Sequence, residues 1–437
     1  MNNSTTSKCP MDFDFFKEET LNCPYEFYET LQDQAPVYQL PDTNIFMVTR
    51  HADVKRLLKD TETYSNNFTD QLKGPEPAPE VTEIYAKAWQ PVDTMITADP
   101  PRHRAYRTLV NKVFSAKRVN EMEAYMTAIV HELIDGFIEK GECDFVRDFT
   151  TPLPVYVIAD QLGVPRKDLK AFKRWSDSFA RRLSQLATPE EQIEDAENIV
   201  EFQFYFADMI AERRKAPKDD MISDLVSATI NDPDSGETRP LNMEELQSIL
   251  QQFLVAGNET TTSAITGGMV SLIQNPEQLN ALQQDPSKIA NAVEEILRME
   301  SPSAGMWRVV KKDSEIEGVK IPEGSLLMLR YHAANRDRAL FSKPNDIDIE
   351  RNNANDHIAF GQGIHFCPGA MLARKEMNVA FEALLSRLTN FSINEPASDL
   401  NYWPNIVLRG LKELHIRFDK HSVKNTESQE AEALAID

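Results

Sequence analysis

Of the four cysteines in this chain, one stands in a setting suited to chemistry. Cys367 lies in the run Phe360-Gly361-Gln362-Gly363-Ile364-His365-Phe366-Cys367-Pro368-Gly369. Three glycines in ten residues let the backbone turn tightly and approach a flat partner closely. Pro368 fits a helix start, where its missing N–H costs nothing, so a helix is expected from near Ala370. Cys367 then sits beside a helix amino terminus, where free N–H groups and the dipole favour a thiolate. In a loop that is otherwise apolar (Ile364, Phe366), such a thiolate suits a soft metal. Zinc is disfavoured, because His365-x-Cys367 has no matching second pair. A Cys–His nucleophile stays open, since on an extended segment His365 leans the same way as Cys367.

A second set pairs a carboxylate with a hydroxyl. Ala256-Gly257-Asn258-Glu259-Thr260-Thr261 falls in the middle of a long helical pattern. Gln252, Val255, Ala256, Glu259 and Thr260 follow the spacing of one helix face. An acid on the same face as Val255 is costly unless it has a task or a partner. Glu259 and Thr260 together are the two groups needed to relay protons. Further on, Glu295-Ile296-Leu297-Arg298 places a carboxylate and a guanidinium on one helix face, a common and weak signal when taken alone.

The cysteine run resembles the haem loop of the cytochrome P450 family, Phe-x-x-Gly-x-(Arg/His)-x-Cys-x-Gly. It matches at Phe360, Gly363, His365, Cys367 and Gly369. The resemblance extends to the Glu259-Thr260 segment, to Glu295 and Arg298, to Asp99-Pro100-Pro101, to Ile321-Pro322-x-Gly324 and to Ala333-Ala334-Asn335-Arg336-Asp337. It spans roughly Pro24 to Phe418.

The resemblance implies haem b, with Cys367 as the iron ligand. It implies that His103 and Arg107, four apart on one helix face, join Arg308 and His365 around the two haem carboxylates. Small side chains at Ala256 and Gly257 would let the planar group and dioxygen lie against the helix. Glu295 and Arg298 take a structural role, with Arg298 expected to bond the segment around Asn335 and Arg336. The implied reaction is RH + O₂ + two electrons + two protons giving ROH and water. By position relative to the motifs, Gln252, Val255, Ala256, Gly305, Met306, Asn405, Ile406 and Val407 line the substrate pocket. That set is mainly apolar, which suits a lipophilic substrate with a polar group, such as a terpenoid, steroid or fatty acyl compound.

These groups need elements to hold them. Glu244–Ile273 reads as one long helix between Pro240 and Asn275-Pro276. Met377, Ala380, Phe381, Leu384, Leu385 and Leu388 form one buried helix face. Short strands are expected at Ile45–Thr49, Glu315–Ile321 and Ser325–Leu329, with turns at Glu317-Gly318 and Pro322-Glu323-Gly324. Two segments read as mobile covers. One is the polar run Ser65–Glu83, with its prolines between Gly74 and Pro79. The other is Arg166–Arg214, two amphipathic helices broken near Thr188-Pro189. The expected architecture is a single mainly α domain with small β-sheets, over residues 16–420. In it the haem is buried between the long central helix and the cysteine-loop helix. Residues 1–15 and 421–437 are expected to be flexible ends.

Composition narrows the partners. Of 437 residues 41% are hydrophobic, enough for a core that encloses a cofactor. A net charge of −22 argues against nucleic acid. No run is long and apolar enough for a membrane anchor, and Met1–Pro10 does not read as a signal peptide. Cys9, Cys23, Cys143 and Cys367 are scattered, as in a reducing cytoplasm. The 70 residues after Cys367 are too few for a flavin domain, and no ferredoxin-like cysteine cluster occurs. Electrons should therefore come from a separate protein, an iron–sulfur ferredoxin with its reductase, docking on Arg104, Lys112, Arg374 and Lys375. Rival readings are a peroxide-driven hydroxylase or haem-thiolate isomerase on the same fold, and a haem-binding sensor or carrier without turnover. The Glu259-Thr260 pair argues against both, since neither needs a proton relay.

Overall fold

The computed structural model describes residues 8–72, 76–184, 187–394, 400 and 402–421. Its first half runs through α1 (Tyr25–Gln34), β1 (Val37–Gln39), β2 (Ile45–Val48), β3 (Tyr64–Ser65), α2 (Pro79–Tyr85), α3 (Arg102–Val113), α4 (Glu123–Asp135) and β4 (Glu142–Asp144). Four long helices follow: α5 (Pro152–Gln161), α6 (Leu169–Ser184), α7 (Pro189–Lys215) and α8 (Met243–Gln274). After α9 (Ile289–Glu300) come β5 (Gly305–Val310), β6 (Ser314–Ile316), β7 (Val319–Ile321) and β8 (Leu326–Arg330). The cysteine loop leads into α10 (Ala370–Arg387), then β9 (Leu388–Ile393) and β10 (His415–Lys420).

Helix α8 is the axis. A capping box starts it: Asn242 Oδ1 accepts from Glu245 N at 2.9 Å, and Glu245 Oε2 accepts from Asn242 N at 2.8 Å. Asn275 caps its far end, where Pro276 already begins the next helix. One half of α8 buries Leu246, Ile249, Leu250, Phe253 and Leu254 against Phe172, Trp175, Phe202 and Phe206 of α6 and α7. The other half buries Ala264, Ile265 and Met269 against Met377, Ala380, Phe381 and Leu384 of α10. One helix thus joins two apolar cores, and its middle, around Ala256, lies between them.

Helices α6 and α7 part where the sequence suggests. Thr188 accepts from Glu191 N, Glu191 Oε2 accepts from Thr188 N at 2.8 Å, and Pro189 takes the first helical position. In the other expected cover, residues 73–75 lie outside the described residues, and Pro79–Tyr85 is helical.

The main sheet has the order β1-β2-β8-β5-β3, with β2 and β8 parallel and the remaining pairs antiparallel. Strand β8 sits in its middle, and all five of its residues are buried, as befits a strand covered on both faces. The Glu317-Gly318 turn splits the expected 315–321 strand into the hairpin β6–β7. Of the amino-terminal end expected to be flexible, residues 1–7 lie outside the described residues, and the rest contacts the domain. Phe15 is buried and Phe13 half-buried, and both pack on Phe27 at ring separations of 6.2 and 5.2 Å. Two aromatics this close to a buried ring tie residues 13–15 to the domain. Residues 422–437 lie outside the described residues.

Candidate active site around the cysteine loop

The loop is built from below. Glu295 and Arg298 of α9 are fully buried and paired twice, Nε to Oε2 at 2.7 Å and Nη2 to Oε1 at 2.8 Å. Arg351 Nε adds bonds to both Glu295 oxygens at 3.0 Å. Arg298 Nη1 donates to the carbonyls of Asn335 and Pro344 at 2.8 Å. Asn335 in turn receives Ile358 N on its Oδ1 at 2.8 Å, two residues before Phe360. Glu295 and Arg298 thus sit in a buried network that reaches the segment before the cysteine loop, and Arg351 is a third member that spacing alone does not reveal.

Above this network the chain reverses. Cys367 N donates to Phe360 O at 2.9 Å, and a short turn spans Gly363–His365. Gly363 has φ 74°, and a Cβ there would stand 2.7 Å from Leu58 O, so no other residue fits. Gly369 caps α10, which starts at Ala370 as expected. Burial pushes the Cys367 thiol up, while the Gly369 N–H, Arg107, Arg374 and the Ala370 N–H pull it down. The N–H groups at the helix start favour the thiolate as expected, and burial by the rest of the fold opposes them. A metal cation on the sulfur restores the thiolate, since metal binding displaces the proton. Among the described residues no group of three His, Cys, Asp or Glu side chains could hold a metal. A lone cysteine of this kind is compatible with an iron whose other equatorial ligands come from a haem.

Beside it lies a cluster rich in donors. The rings of His103 and His365 stand 4.1 Å apart, and the buried Nε2 of each has no partner among the described residues. His365 Nδ1 bonds Met95 O at 3.0 Å. Arg308, on β5, is buried and makes one hydrogen bond, to Trp307 O at 2.7 Å. Arg107 is half-buried and makes none among the described residues. Burial and Arg107 lower His103 to about 4, and burial, His103 and Arg308 lower His365 to about 3. Two imidazole nitrogens without partners and two guanidiniums with few bonds form a cluster suited to anions. The two carboxylates of a haem fit it. Helix α3, which carries His103 and Arg107, is held by Tyr106 Oη donating to Glu245 Oε1 at 2.7 Å. At its start Asp99 takes Ser65 Oγ at 2.6 Å and Asn66 N at 2.9 Å.

On α8 the expected residues divide. Ala256 is exposed in mid-helix, so open space lies against it. Gly257 does not share that space: a Cβ there would point at Ile158 of α5, 3.7 Å away. One residue further along a helix turns about 100°, so Gly257 packs helix on helix instead of facing a ligand. Thr260 Oγ1 donates to Ala256 O at 2.8 Å. The side chain of Glu259 is 24% exposed and meets Lys173 Nζ of α6 at 3.4 Å. Burial raises its carboxyl, with Lys173 opposing. Lys173 belongs to the site, and no local signal in the sequence couples it to a residue on another helix.

The expected pocket residues come from two sides. Gln252 Nε2 donates to Thr94 Oγ1 at 2.6 Å, and Val255 is half-buried. Gly305 and Met306 pair with Arg330 and Leu329, and a Cβ on Gly305 would strike Leu329 O at 2.2 Å. Ala304 N donates to Val407 O at 2.7 Å, and Arg330 Nη1 to Ile406 O at 2.8 Å, so 304–306 and 406–407 adjoin. Asn405 holds its own turn, with Oδ1 accepting from Val407 N and Leu408 N at 2.8 and 3.0 Å. Its carbonyl oxygen is therefore already engaged.

The docking cations also need correction. Arg374 is paired twice with Glu294, at 2.6 and 2.8 Å, and Lys375 with Glu123 at 2.7 Å. Of the four, Arg104 and Lys112 are exposed and make no ion pair among the described residues.

Comparison with known proteins decides the family. The family model described as Cytochrome P450 matches residues 168–292 and 289–410. The chain belongs to the cytochrome P450 family. The putative cytochrome P450 YjiB of Bacillus subtilis is 35% identical over 403 residues, covering 90% of this chain and 93% of that protein. A steroid C26-monooxygenase of Mycobacterium tuberculosis is 38% identical over 324 residues, covering 74% of this chain and 85% of that one. The solved structure of cytochrome P450 CYP109Q5 from Chondromyces apiculatus superposes with a TM-score of 0.81 at 35% identity, covering 94% of this chain and 99% of that one. This P450 is a haem-dependent monooxygenase with a single-domain fold. No helix among the described residues is long and apolar enough to cross a membrane.

Proposed function

We propose that this P450 hydroxylates a lipophilic molecule of steroid class in the cytoplasm, with electrons from a separate iron–sulfur ferredoxin. The observation that carries the monooxygenase reading is the convergence of Cys367 with His103, Arg107, Arg308 and His365, a thiol beside a cluster of buried and half-buried donors suited to anions. The steroid assignment rests on the steroid C26-monooxygenase relative and on the apolar side chains Val255, Ala256, Met306, Ile406 and Val407.

Bound haem, with Cys367 as its thiolate, supplies the redox chemistry that cleaves the O–O bond, a general property of haem-thiolate proteins. His103, Arg107, Arg308 and His365 would hold its carboxylates by charge-assisted bonds. Thr260 Oγ1 donates its hydrogen bond to Ala256 O, which leaves its lone pairs free to accept a hydrogen bond from a donor in the chamber. Glu259 carries a proton more readily than an exposed glutamate, because burial raises its carboxyl. Lys173 opposes that shift and holds the carboxylate toward α6, so swinging away from Lys173 lets Glu259 take up and hand on a proton.

The ferredoxin docks on the cysteine side. Ile364, Phe366 and Met371, which flank Cys367, are 39%, 38% and 44% exposed. Arg104 and Lys112 on α3 are exposed positive charges, and opposite charge steers an acidic partner. The test is turnover of a steroid panel with isotope-labelled dioxygen, a ferredoxin and its reductase. One labelled oxygen in a hydroxylated product is expected. Haem-loaded protein that hydroxylates no steroid but does hydroxylate a terpenoid or fatty acid would overturn the substrate class. A Cys367→His protein that kept the red-shifted carbonyl band of a thiolate would overturn the ligand.

A further inference from the structure

Residues 89–97 cross from α7 past α8 to the cysteine loop with almost no backbone pairing of their own. Among the described residues, the single bond between their backbone groups and other backbone is Ala98 N to Thr94 O, at 2.7 Å. Buried backbone groups require partners, and here side chains of other elements provide them. Gln203 of α7 grips Trp89 at both ends: Trp89 N donates to Gln203 Oε1 at 2.8 Å, and Gln203 Nε2 donates to Trp89 O at 2.9 Å. Ser248 Oγ of α8 accepts from Val92 N at 3.0 Å. Gln252 donates to Thr94, and Met95 O bonds His365. Gln203 is buried, and its own carbonyl accepts from Gln247 Nε2 of α8 at 2.8 Å. Phe204, the next residue, packs edge-on against the Trp89 ring at 5.5 Å.

We infer that Gln203 is a positioning residue that latches the 89–97 segment to α7 and α8, and so sets how fast large ligands exchange with the chamber beside Ala256. The amide makes two bonds to one residue's backbone at a part-buried site, and both must break for the segment to part from α7. Lifting α7 from α8 breaks the Gln247 bond. It must then either carry Trp89 along, losing Ser248 and Gln252, or leave Trp89 behind, losing both amide bonds. Either route makes opening a multi-bond event centred on one side chain. Small ligands need no such opening. The inference rests on the reading of the space beside Ala256 as the substrate chamber.

The test uses Gln203→Met, which keeps the volume and removes both bonds, in haem-loaded protein. Hydrogen exchange across 86–98 reads the latch itself and is independent of any reaction. Stopped-flow absorbance with phenylimidazole, and with imidazole as the small control, reads the gate. Exchange in 86–98 should rise, and phenylimidazole should bind and leave roughly ten- to thirtyfold faster, as loss of two hydrogen bonds implies. Imidazole rates should not change. Ser248→Ala, which removes one bond, should show the same pattern in smaller measure. Unchanged exchange in 86–98 would overturn the latch. Raised exchange with unchanged phenylimidazole rates, or equal acceleration of both azoles, would overturn its role as a gate. If no substrate class is hydroxylated, the exchange result still stands, so failure of the functional reading is separable.

Discussion

Replacing Glu376 with a glutamine should change how stability depends on pH, in a direction and size that follow from its surroundings. Glu376 lies on α10, nine residues beyond Cys367, and is 3% exposed. Its Oε2 is buried without a hydrogen-bond partner among the described residues. Burial alone raises its carboxyl from 4.5 to about 8. The folded protein therefore keeps a proton that the unfolded chain releases above its own pKa. With more protons bound in the folded state, stability falls as pH rises. It is fully present below about pH 4.5 and is lost progressively up to about pH 8. Each pH unit in that window costs about 1.4 kcal/mol, so the whole shift is worth on the order of 3–5 kcal/mol. An amide cannot ionise and lacks this dependence. Whatever constant offset the amide introduces, the stability of the Glu376→Gln protein relative to wild type should climb by about 2–3 kcal/mol between about pH 6 and pH 8. Urea unfolding followed by tryptophan fluorescence, at several pH values, measures it. Two curves that run parallel across that range would show that Glu376 is either ionised or solvated in the folded protein, and the burial argument would fail.

Four other outcomes are expected. Arg298→Ala leaves the buried Glu295 with Arg351 as its remaining ion-pair partner and strands the carbonyls of Asn335 and Pro344. It should cost about 3–5 kcal/mol, and a loss below about 1 kcal/mol in denaturant unfolding would contradict the network. Lys173→Met removes the cation that opposes the raised carboxyl of Glu259, so its pKa should rise further and the alkaline limit of turnover should move to higher pH. A pH–rate profile that does not move would disconnect Glu259 from proton delivery. Thr260→Ala should still consume oxygen but release more peroxide and less product per electron, and unchanged coupling would place the relay elsewhere. The rate of first-electron transfer from an acidic ferredoxin should fall with ionic strength and with Lys112→Glu, and a rate indifferent to both would remove α3 from the docking surface.

Much of the site is legible in the chain because its parts are local. The glycines, Pro368 and Cys367 carry the loop and the helix start within ten residues. Asn242 and Glu245 write the beginning of α8, and Thr188-Pro189 writes the break between α6 and α7, because capping joins residues three apart. What the chain alone does not disclose depends on partners far apart in sequence or on burial, and only packing chooses those. Arg374 and Lys375 read as free cations until Glu294 and Glu123 come beside them. Gly257 reads as a ligand-facing residue until α5 places Ile158 against it. Lys173 and Glu259, or Gln203 and Trp89, carry no mark in the sequence that pairs them. The Cys367 thiol follows the same rule. Its neighbours in sequence supply the N–H groups that favour a thiolate, but the low-dielectric surroundings that oppose it come from the whole fold, and desolvation is the larger effect.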